Sequence, residues 1–184
     1  MMTTALLLID IQNDYFPGGK MELEGSVEAS LRAKALLAWF RERKMPVLHI
    51  QHISTRPGAT FFLPETEGVE IHDNVRPLEG ETVIRKHSMN SFRDTSLSES
   101  LEKEGTKHVV ICGMMTHMCV DATTRAAFDV GLKCTVISDA CATKTLKFGE
   151  TVVPGDHVQA AFLAALNAGY ANVVTVEDFI SGLR

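Results

Sequence analysis

Cys119 lies near the start of a predicted helix that follows a buried strand, and this position can activate a thiol. The strand is the apolar, β-branched run that begins at Val109, Gly113 interrupts it, and the helix is predicted over 118–129. Backbone N–H groups at a helix start lack intrahelical partners, and the helix dipole is positive there. We therefore expect the Cys119 thiol to ionise more easily than a free one, and nearby N–H groups to hold an oxyanion. The alternative is that Cys119 is a small buried hydrophobe.

Two charged residues stand at the ends of other apolar runs. Asp10 follows the run Ala5–Ile9, and Lys86 ends a strand predicted over 82–86. A carboxylate, an ammonium and a thiol can together hydrolyse an acyl bond through a thioester. Asp10 would take the thiol proton and later give it to a leaving amine, while Lys86 would hold the thiolate. Each residue alone has a simpler interpretation as a loop cap or a solvated charge. Their occurrence at matching strand ends favours a shared site.

The order of predicted elements explains how three distant residues meet. Strands are predicted over 5–9, 47–53, 82–86, from 109 onward, 133–138 and 172–176, and helices over 26–44, 97–104, 118–129 and 156–168. This alternation favours a three-layer α/β/α fold with a parallel sheet, whose sites form at the carboxyl ends of the strands. One domain over 1–184 is the simplest division. The segment 55–80 lacks periodicity and is expected to form a site wall or an oligomer contact.

Composition excludes several classes of function. The chain has 184 residues, 45% of them hydrophobic, and a net charge of -5 without a basic cluster, so we expect no nucleic-acid partner. The run Ala5–Ile9 is too short to span a membrane, and no membrane partner is expected. The four cysteines show no CxxC spacing and are predicted to be free thiols of a cytoplasmic protein. A redox role for Cys119 with Cys112 is disfavoured for the same reason.

Three segments together resemble the isochorismatase-like cysteine hydrolases, a superfamily that includes nicotinamidases and related amidases. The segments are Leu6–Asp14, Val83–Phe92 and Cys112–Thr123, and the resemblance extends from Ala5 to about Val176. It implies a six-stranded parallel sheet in the order 3-2-1-4-5-6 and a catalytic triad of Asp10, Lys86 and Cys119. It also implies a cis peptide between Met114 and Met115 that aims the Met115 N–H at the oxyanion, together with the N–H of Cys119.

Departures from the family pattern narrow the expected chemistry. Nicotinamidases carry an Asp-x-His metal motif at the end of the second strand, whereas this chain has Gln51-His52-Ile53-Ser54 there. We therefore expect no metal and no cofactor, and nicotinamidase activity is disfavoured. True isochorismatases cleave a vinyl ether without a cysteine nucleophile, so the presence of Cys119 favours hydrolysis of a C–N bond. His49 and His52, three apart on a strand, are interpreted as polar groups at a strand end rather than as a metal pair.

The expected ligand is a small amide-type molecule. Phe16, Phe92 and His117 are candidate pocket residues, although placement in the core or on a helix surface is an equal alternative for each. The resemblance also implies a homo-oligomer, either a dimer or a tetramer. Three alternatives stay open: an isochorismatase-type reaction, a metal-assisted nicotinamidase reaction, and a catalytically silent binding protein of the same fold.

Overall fold

The computed structural model describes residues 3–182, so the first two and last two residues of the predicted domain 1–184 lie outside it. The strands are β1 (Thr3–Ile9), β2 (Val47–His52), β3 (Thr82–Lys86), β4 (Thr106–Met114), β5 (Lys133–Ala142), β6 (Leu146–Phe148), β7 (Thr151–Val153) and β8 (Asn172–Val174). The α-helices are α1 (Ser26–Glu42), α2 (Leu97–Lys103), α3 (Asp121–Asp129), α4 (Gly155–Asn167) and α5 (Val176–Ser181).

Six strands form one parallel sheet in the order β3-β2-β1-β4-β5-β8. Helices flank the sheet, and the predicted three-layer fold and strand order are confirmed; the last strand is the sixth of the sheet and the eighth of the chain. Ala5–Ile9 of β1 is fully buried, as expected for a central strand covered on both faces.

A small hairpin, β6–β7, lies between β5 and the last strand of the sheet in the chain, and that last strand is therefore numbered β8. The sequence predicts no strand between residues 139 and 155, whereas Leu146–Phe148 pairs with Thr151–Val153 in antiparallel fashion. The two strands are joined by two residues, of which Gly149 has a φ of 57°, a positive value typical of such short turns. Gly149 is a turn signal that can be read from the sequence, but three-residue strands are too short to show a clear alternation of apolar and polar residues.

The strand order reverses between β1 and β4, where a ligand crevice is expected. Ile9 pairs with Gly113 in the parallel register. Gly113 has a φ of 128°, and a Cβ atom added to it would lie 2.0 Å from the Ile9 carbonyl oxygen. Only glycine therefore allows the ends of β1 and β4 to approach so closely.

The structure adds detail to two predicted segments. A π-helical turn over Thr116–Val120 precedes α3, so the helical structure begins before residue 118. The segment 55–80 contains two 3₁₀ turns, Glu67–Val69 and Asp73–Val75, rather than a strand or a long helix. Within residues 3–182, no helix combines the length and the apolar character needed to cross a bilayer.

Candidate active site

Asp10 is placed at the end of β1 by a sharp change of backbone direction. Its φ is 51°, in the left-handed region that aspartate tolerates better than most residues. Its N–H donates to the Ile50 carbonyl, and its carbonyl accepts from the N–H of Gln12. The side chain is fully buried, and Oδ1 has no hydrogen-bond partner among the described residues. One carboxylate oxygen is therefore available to accept a proton.

The Lys86 ammonium lies between the other two predicted site residues. Its Nζ is 2.7 Å from Asp10 Oδ2 and 3.2 Å from Cys119 Sγ. Lys86 and Asp10 are both 0% exposed, and Cys119 is 2% exposed. The structure thus brings together three residues that end or follow β1, β3 and β4, in the protein interior, where charge–charge interactions are strong.

His52 is a fourth member of this cluster, and the sequence analysis missed it. Its Nδ1 lies 3.1 Å from Lys86 Nζ, which also donates to the Ser88 carbonyl at 3.0 Å. His52 pairs with Lys86 in the register between β2 and β3, so both side chains lie on the same face of the sheet. The available signal was its place at the carboxyl end of β2. His49, by contrast, contacts Glu81, so the two histidines do not share a site.

The surroundings raise the pKa of both Lys86 and Cys119, which favours a charged ammonium and a neutral thiol. Burial opposes the charged ammonium, but the Asp10 carboxylate and Cys119 outweigh it and raise the pKa of Lys86. Burial and the Asp10 carboxylate raise the pKa of the Cys119 thiol, and Lys86 lowers it by less. The expectation that this thiol ionises easily is therefore wrong for the substrate-free geometry. Loss of hydration is the largest cause of the raised pKa, and it acts against the charged thiolate.

The cluster is a poor site for a divalent cation. Donor atoms of Asp10, His52 and Cys119 lie within 4.8 Å of one another, which is suitable spacing for a metal. However, Lys86 Nζ is within 3.2 Å of an atom of each, so an ammonium already stands between them. The Gln51 amide is also engaged, because it donates to the Val69 carbonyl and accepts from Arg85. These residues do not fit the nicotinamidase metal motif, and we derive no step through a metal.

Aromatic and thioether groups form the walls around the thiol. Tyr15 and Phe62 are buried, with ring centroids 4.6 Å apart, and Met89 Sδ is 3.7 Å from Cys119 Sγ. Burial, followed by the proximity of Cys119 and Asp10, raises the pKa of Tyr15, so its hydroxyl stays protonated.

A buried carboxylate fixes part of this wall. Phe62 has a φ of 56°, and its N–H donates to Asp14 Oδ2 at 2.6 Å. Asp14 also accepts from the N–H of Lys20. The segment 55–80 is thereby attached to the loop after β1.

In the described part of the chain, residues 3–182, no hydrogen bond, ion pair or ring contact joins the three candidate pocket residues to the triad. Phe16 stacks on His72 with ring centroids 3.6 Å apart, and it lines a groove of about 1400 Å³ that does not include the triad. The His117 ring contacts the Thr143 hydroxyl, and Phe92 is partly buried against the core. Their role in substrate binding stays a prediction.

The backbone beside Cys119 supplies an N–H donor that has no backbone acceptor among the described residues. The Met114–Met115 peptide bond is cis, and Met115 is followed directly by the π-helical turn that carries Cys119. Within residues 3–182, the Met115 N–H donates to no backbone carbonyl, whereas its carbonyl accepts from Met118 and Val120. An N–H without a partner next to a buried thiol is what an oxyanion site requires.

The sequence pattern of the isochorismatase domain matches residues 4–178, nearly the whole chain. The chain belongs to the isochorismatase family. It is 56% identical over 179 residues to YddQ of Bacillus subtilis (strain 168), an uncharacterized isochorismatase family protein, covering 97% of this chain and 99% of that one.

Two further relatives of this isochorismatase family member extend the comparison. A crystal structure of a protein from Oleispira antarctica, described as an isochorismatase hydrolase, superposes with a TM-score of 0.94 at 50% identity, covering 98% of this chain and 97% of that one. Streptothricin hydrolase of Streptomyces noursei is 35% identical over 139 residues, covering 76% of this chain and 49% of that one.

Proposed function

We propose that this isochorismatase family member is a cysteine hydrolase that cleaves a C–N bond of a small amide-type substrate through an acyl-thioester. The observation that carries the proposal is the Lys86 ammonium, buried between the Asp10 carboxylate and the Cys119 thiol. A purely structural ion pair needs no thiol as a third partner. This arrangement supplies a base, a cation and a nucleophile within one buried cluster.

Acylation begins with the neutral thiol. As Cys119 Sγ attacks the carbonyl carbon, its proton passes to Asp10, which has an unpartnered oxygen. The charged Lys86 stabilises the sulfur while it is anionic, and the N–H groups of Met115 and Cys119 hold the oxyanion. The protonated Asp10 then gives its proton to the leaving nitrogen, the C–N bond breaks, and the acyl group remains on sulfur.

Deacylation uses the same groups in reverse. Asp10 takes a proton from an entering water, whose oxygen attacks the thioester carbon and forms a second oxyanion. The C–S bond then breaks, and the sulfur regains a proton from Asp10 as the carboxylic acid departs. The buried Lys86 charge lowers the energy of the leaving thiolate in this step.

The name of one relative supports C–N hydrolysis over cleavage of a vinyl ether. Ureidoacrylate amidohydrolase RutB of Caulobacter vibrioides is named for amide hydrolysis, and it is 27% identical over 210 residues, covering 96% of this chain.

A panel of small primary amides, secondary amides, ureides and carbamates, read by release of ammonia or amine, tests the proposal. Cys119→Ala should lower turnover by about 10⁴-fold or more, because the covalent route is lost. Mass spectrometry of the wild-type protein with a slowly deacylating substrate should find the acyl group on Cys119.

The matched control is Cys134→Ala, which removes another buried free thiol that contacts the Thr124 carbonyl rather than the triad. It should retain turnover within about twofold. Turnover of Cys119→Ala within tenfold of the wild type would contradict covalent catalysis. Activity lost to a chelator and restored by zinc, or found only with a vinyl ether, would also contradict the proposal.

A further inference from the structure

The Lys86 ammonium has more acceptors than protons. Four atoms lie within hydrogen-bond reach of Nζ: Asp10 Oδ2 at 2.7 Å, the Ser88 carbonyl at 3.0 Å, His52 Nδ1 at 3.1 Å and Cys119 Sγ at 3.2 Å. An ammonium carries only three N–H bonds. At least one of the four atoms is therefore without a full hydrogen bond at any moment.

The four acceptors do not compete equally. Asp10 is charged and nearest, and the Ser88 carbonyl is part of the backbone, so these two hold two of the N–H bonds. The third N–H is shared between His52 Nδ1 and the Cys119 sulfur. A neutral thiol is a weak acceptor, whereas an unprotonated imidazole nitrogen is a good one. In the resting protein, the third N–H therefore belongs to His52.

The backbone of His52 is fixed by the Gln12 side chain. Gln12 binds it on both sides, since its Oε1 accepts from the His52 N–H at 2.8 Å and its Nε2 donates to the His52 carbonyl at 2.9 Å. The Gln12 amide also donates to the Val69 carbonyl at 2.7 Å, so it is itself anchored. The imidazole is buried, and the parallel register keeps it beside Lys86.

We propose that His52 is a positioning residue that acts through Lys86: it holds the third ammonium N–H at rest and releases it to the Cys119 thiolate during acylation. This inference rests on the proposed function, because it needs Cys119 to become a thiolate. No proton moves onto His52, which keeps its own proton on Nε2. The thiol proton goes to Asp10, and only the direction of one Lys86 N–H changes.

The arrangement keeps the nucleophile quiet until substrate arrives. Lys86 Nζ is close enough to the Cys119 sulfur to donate a hydrogen bond to a thiolate. While His52 holds the third N–H, that hydrogen bond is missing, and the thiolate is stabilised less. The thiol is thereby protected against alkylation and oxidation, which require the thiolate. Once the sulfur becomes anionic, it is a stronger acceptor than a neutral imidazole, and the N–H turns to it.

The test compares two substitutions of His52 by the pH dependence of Cys119 alkylation with iodoacetamide, followed by site-resolved mass spectrometry. His52→Leu removes the acceptor, so the third N–H passes to sulfur, and alkylation at pH 8 should become roughly tenfold faster, a shift of about one pKa unit. His52→Asn places an amide oxygen near the position of Nδ1. It should keep the alkylation rate within about twofold of the wild type.

His49→Leu is the matched control, since His49 lies on the same strand, is also buried and contacts Glu81 instead of Lys86. It should leave the alkylation profile unchanged, and thermal unfolding should show that each variant is folded. An unchanged or slower rate in folded His52→Leu would overturn the proposal. So would a His52→Asn variant that alkylates as fast as His52→Leu.

The two proposals fail separately. If no amide is hydrolysed but alkylation responds to His52 as described, the proposed function fails, and of the His52 role only the hold on the third N–H in the resting protein stands. If Cys119 is required for hydrolysis but alkylation ignores His52, only the role of His52 fails.

Discussion

Two clusters on strand β2 have nearly the same composition and very different properties. One joins His49, Glu81 and Arg41; the other joins His52 with Asp10 and Lys86. Glu81 accepts from Arg41 at 2.7 and 2.8 Å, from His49 at 2.8 Å and from the Leu78 N–H at 2.9 Å.

Asp10 is far less saturated than Glu81. Its Oδ2 has the Lys86 ammonium at 2.7 Å, and its Oδ1 has no partner among the described residues. Burial raises the pKa of Glu81, but the hydrogen bonds from Arg41, Leu78 and His49 outweigh it and lower the pKa to about 2. Such a carboxylate cannot take a proton near neutral pH. The Asp10 cluster, in which one carboxylate oxygen has no partner among the described residues, is therefore the one suited to proton transfer.

The two clusters also differ in burial, and the cluster suited to proton transfer is the more deeply buried one. The side chains of Arg41 and Glu81 are 28% and 15% exposed, whereas Lys86 and Asp10 are fully buried. The partly exposed pair is partly screened by solvent, and Arg41 also binds the Arg76 carbonyl, which fixes the end of the segment 55–80 against α1. The buried pair acts at low dielectric, where a single charge can stabilise a thiolate strongly.

The largest expected effect comes from removing the charges around the thiol. Asp10→Asn should lower hydrolysis by roughly 10²–10⁴-fold, because the general base and acid are lost. Lys86→Met should also abolish most turnover. Their effects on Cys119 alkylation should diverge: loss of the carboxylate charge eases thiolate formation, and loss of the ammonium charge hinders it.

The measurement is the pH profile of Cys119 alkylation in each variant, with circular dichroism to confirm folding. Arg41→Met serves as a control for removing a cation that pairs with a carboxylate elsewhere. If neither Asp10→Asn nor Lys86→Met shifted the profile, the three residues would not act as one site.

Breaking the other cluster should affect stability rather than chemistry. Glu81→Gln leaves Arg41 without its charge partner, and the free energy of unfolding should fall by about 1–3 kcal/mol. Hydrolysis per folded molecule should stay within twofold. Denaturant unfolding followed by fluorescence of the single Trp39 gives the first quantity, and the amide assay gives the second. If Glu81→Gln lowered turnover but not stability, the Glu81 cluster would take part in the chemistry, and the two clusters would not differ in role.

Mild acid should weaken the His52 cluster before the Glu81 carboxylate is protonated. Burial and the Lys86 charge lower the pKa of His52 to about 4, so the fold favours its neutral form. That stability is present above about pH 6.5 and is lost as the pH falls toward 4, on the order of 3 kcal/mol at most. The Glu81 carboxylate, with a pKa of about 2, loses its contribution to the free energy of unfolding only below about pH 4.5.

Unfolding free energies from pH 7 to pH 4 check this prediction. His52→Asn should remove the His52 share of the slope. The remainder belongs to other histidines with lowered pKa values, such as His108, which burial and Lys133 bring to about 4. An identical slope in the wild type and the variant would contradict it.

The sequence by itself determined the fold and the three charged or nucleophilic residues of the candidate site. Continuous apolar runs such as Ala5–Ile9 indicate strands buried on both faces, and their alternation with helices indicates a parallel sheet. Because parallel strands end at one edge, Asp10 and Lys86 could be placed beside Cys119 before any distance was known. The motifs around them then indicated the family, and the domain match confirms it.

Only the tertiary structure decided what surrounds these residues. His52 joined the cluster because β2 and β3 pair in a register that aligns it with Lys86, and no local pattern reports a pairing between strands 34 residues apart. The acidity of Cys119 was misjudged because helix position can be inferred from the sequence, whereas complete burial cannot. Loss of hydration depends on every element packed around the sulfur, and that sum exists only in the folded chain.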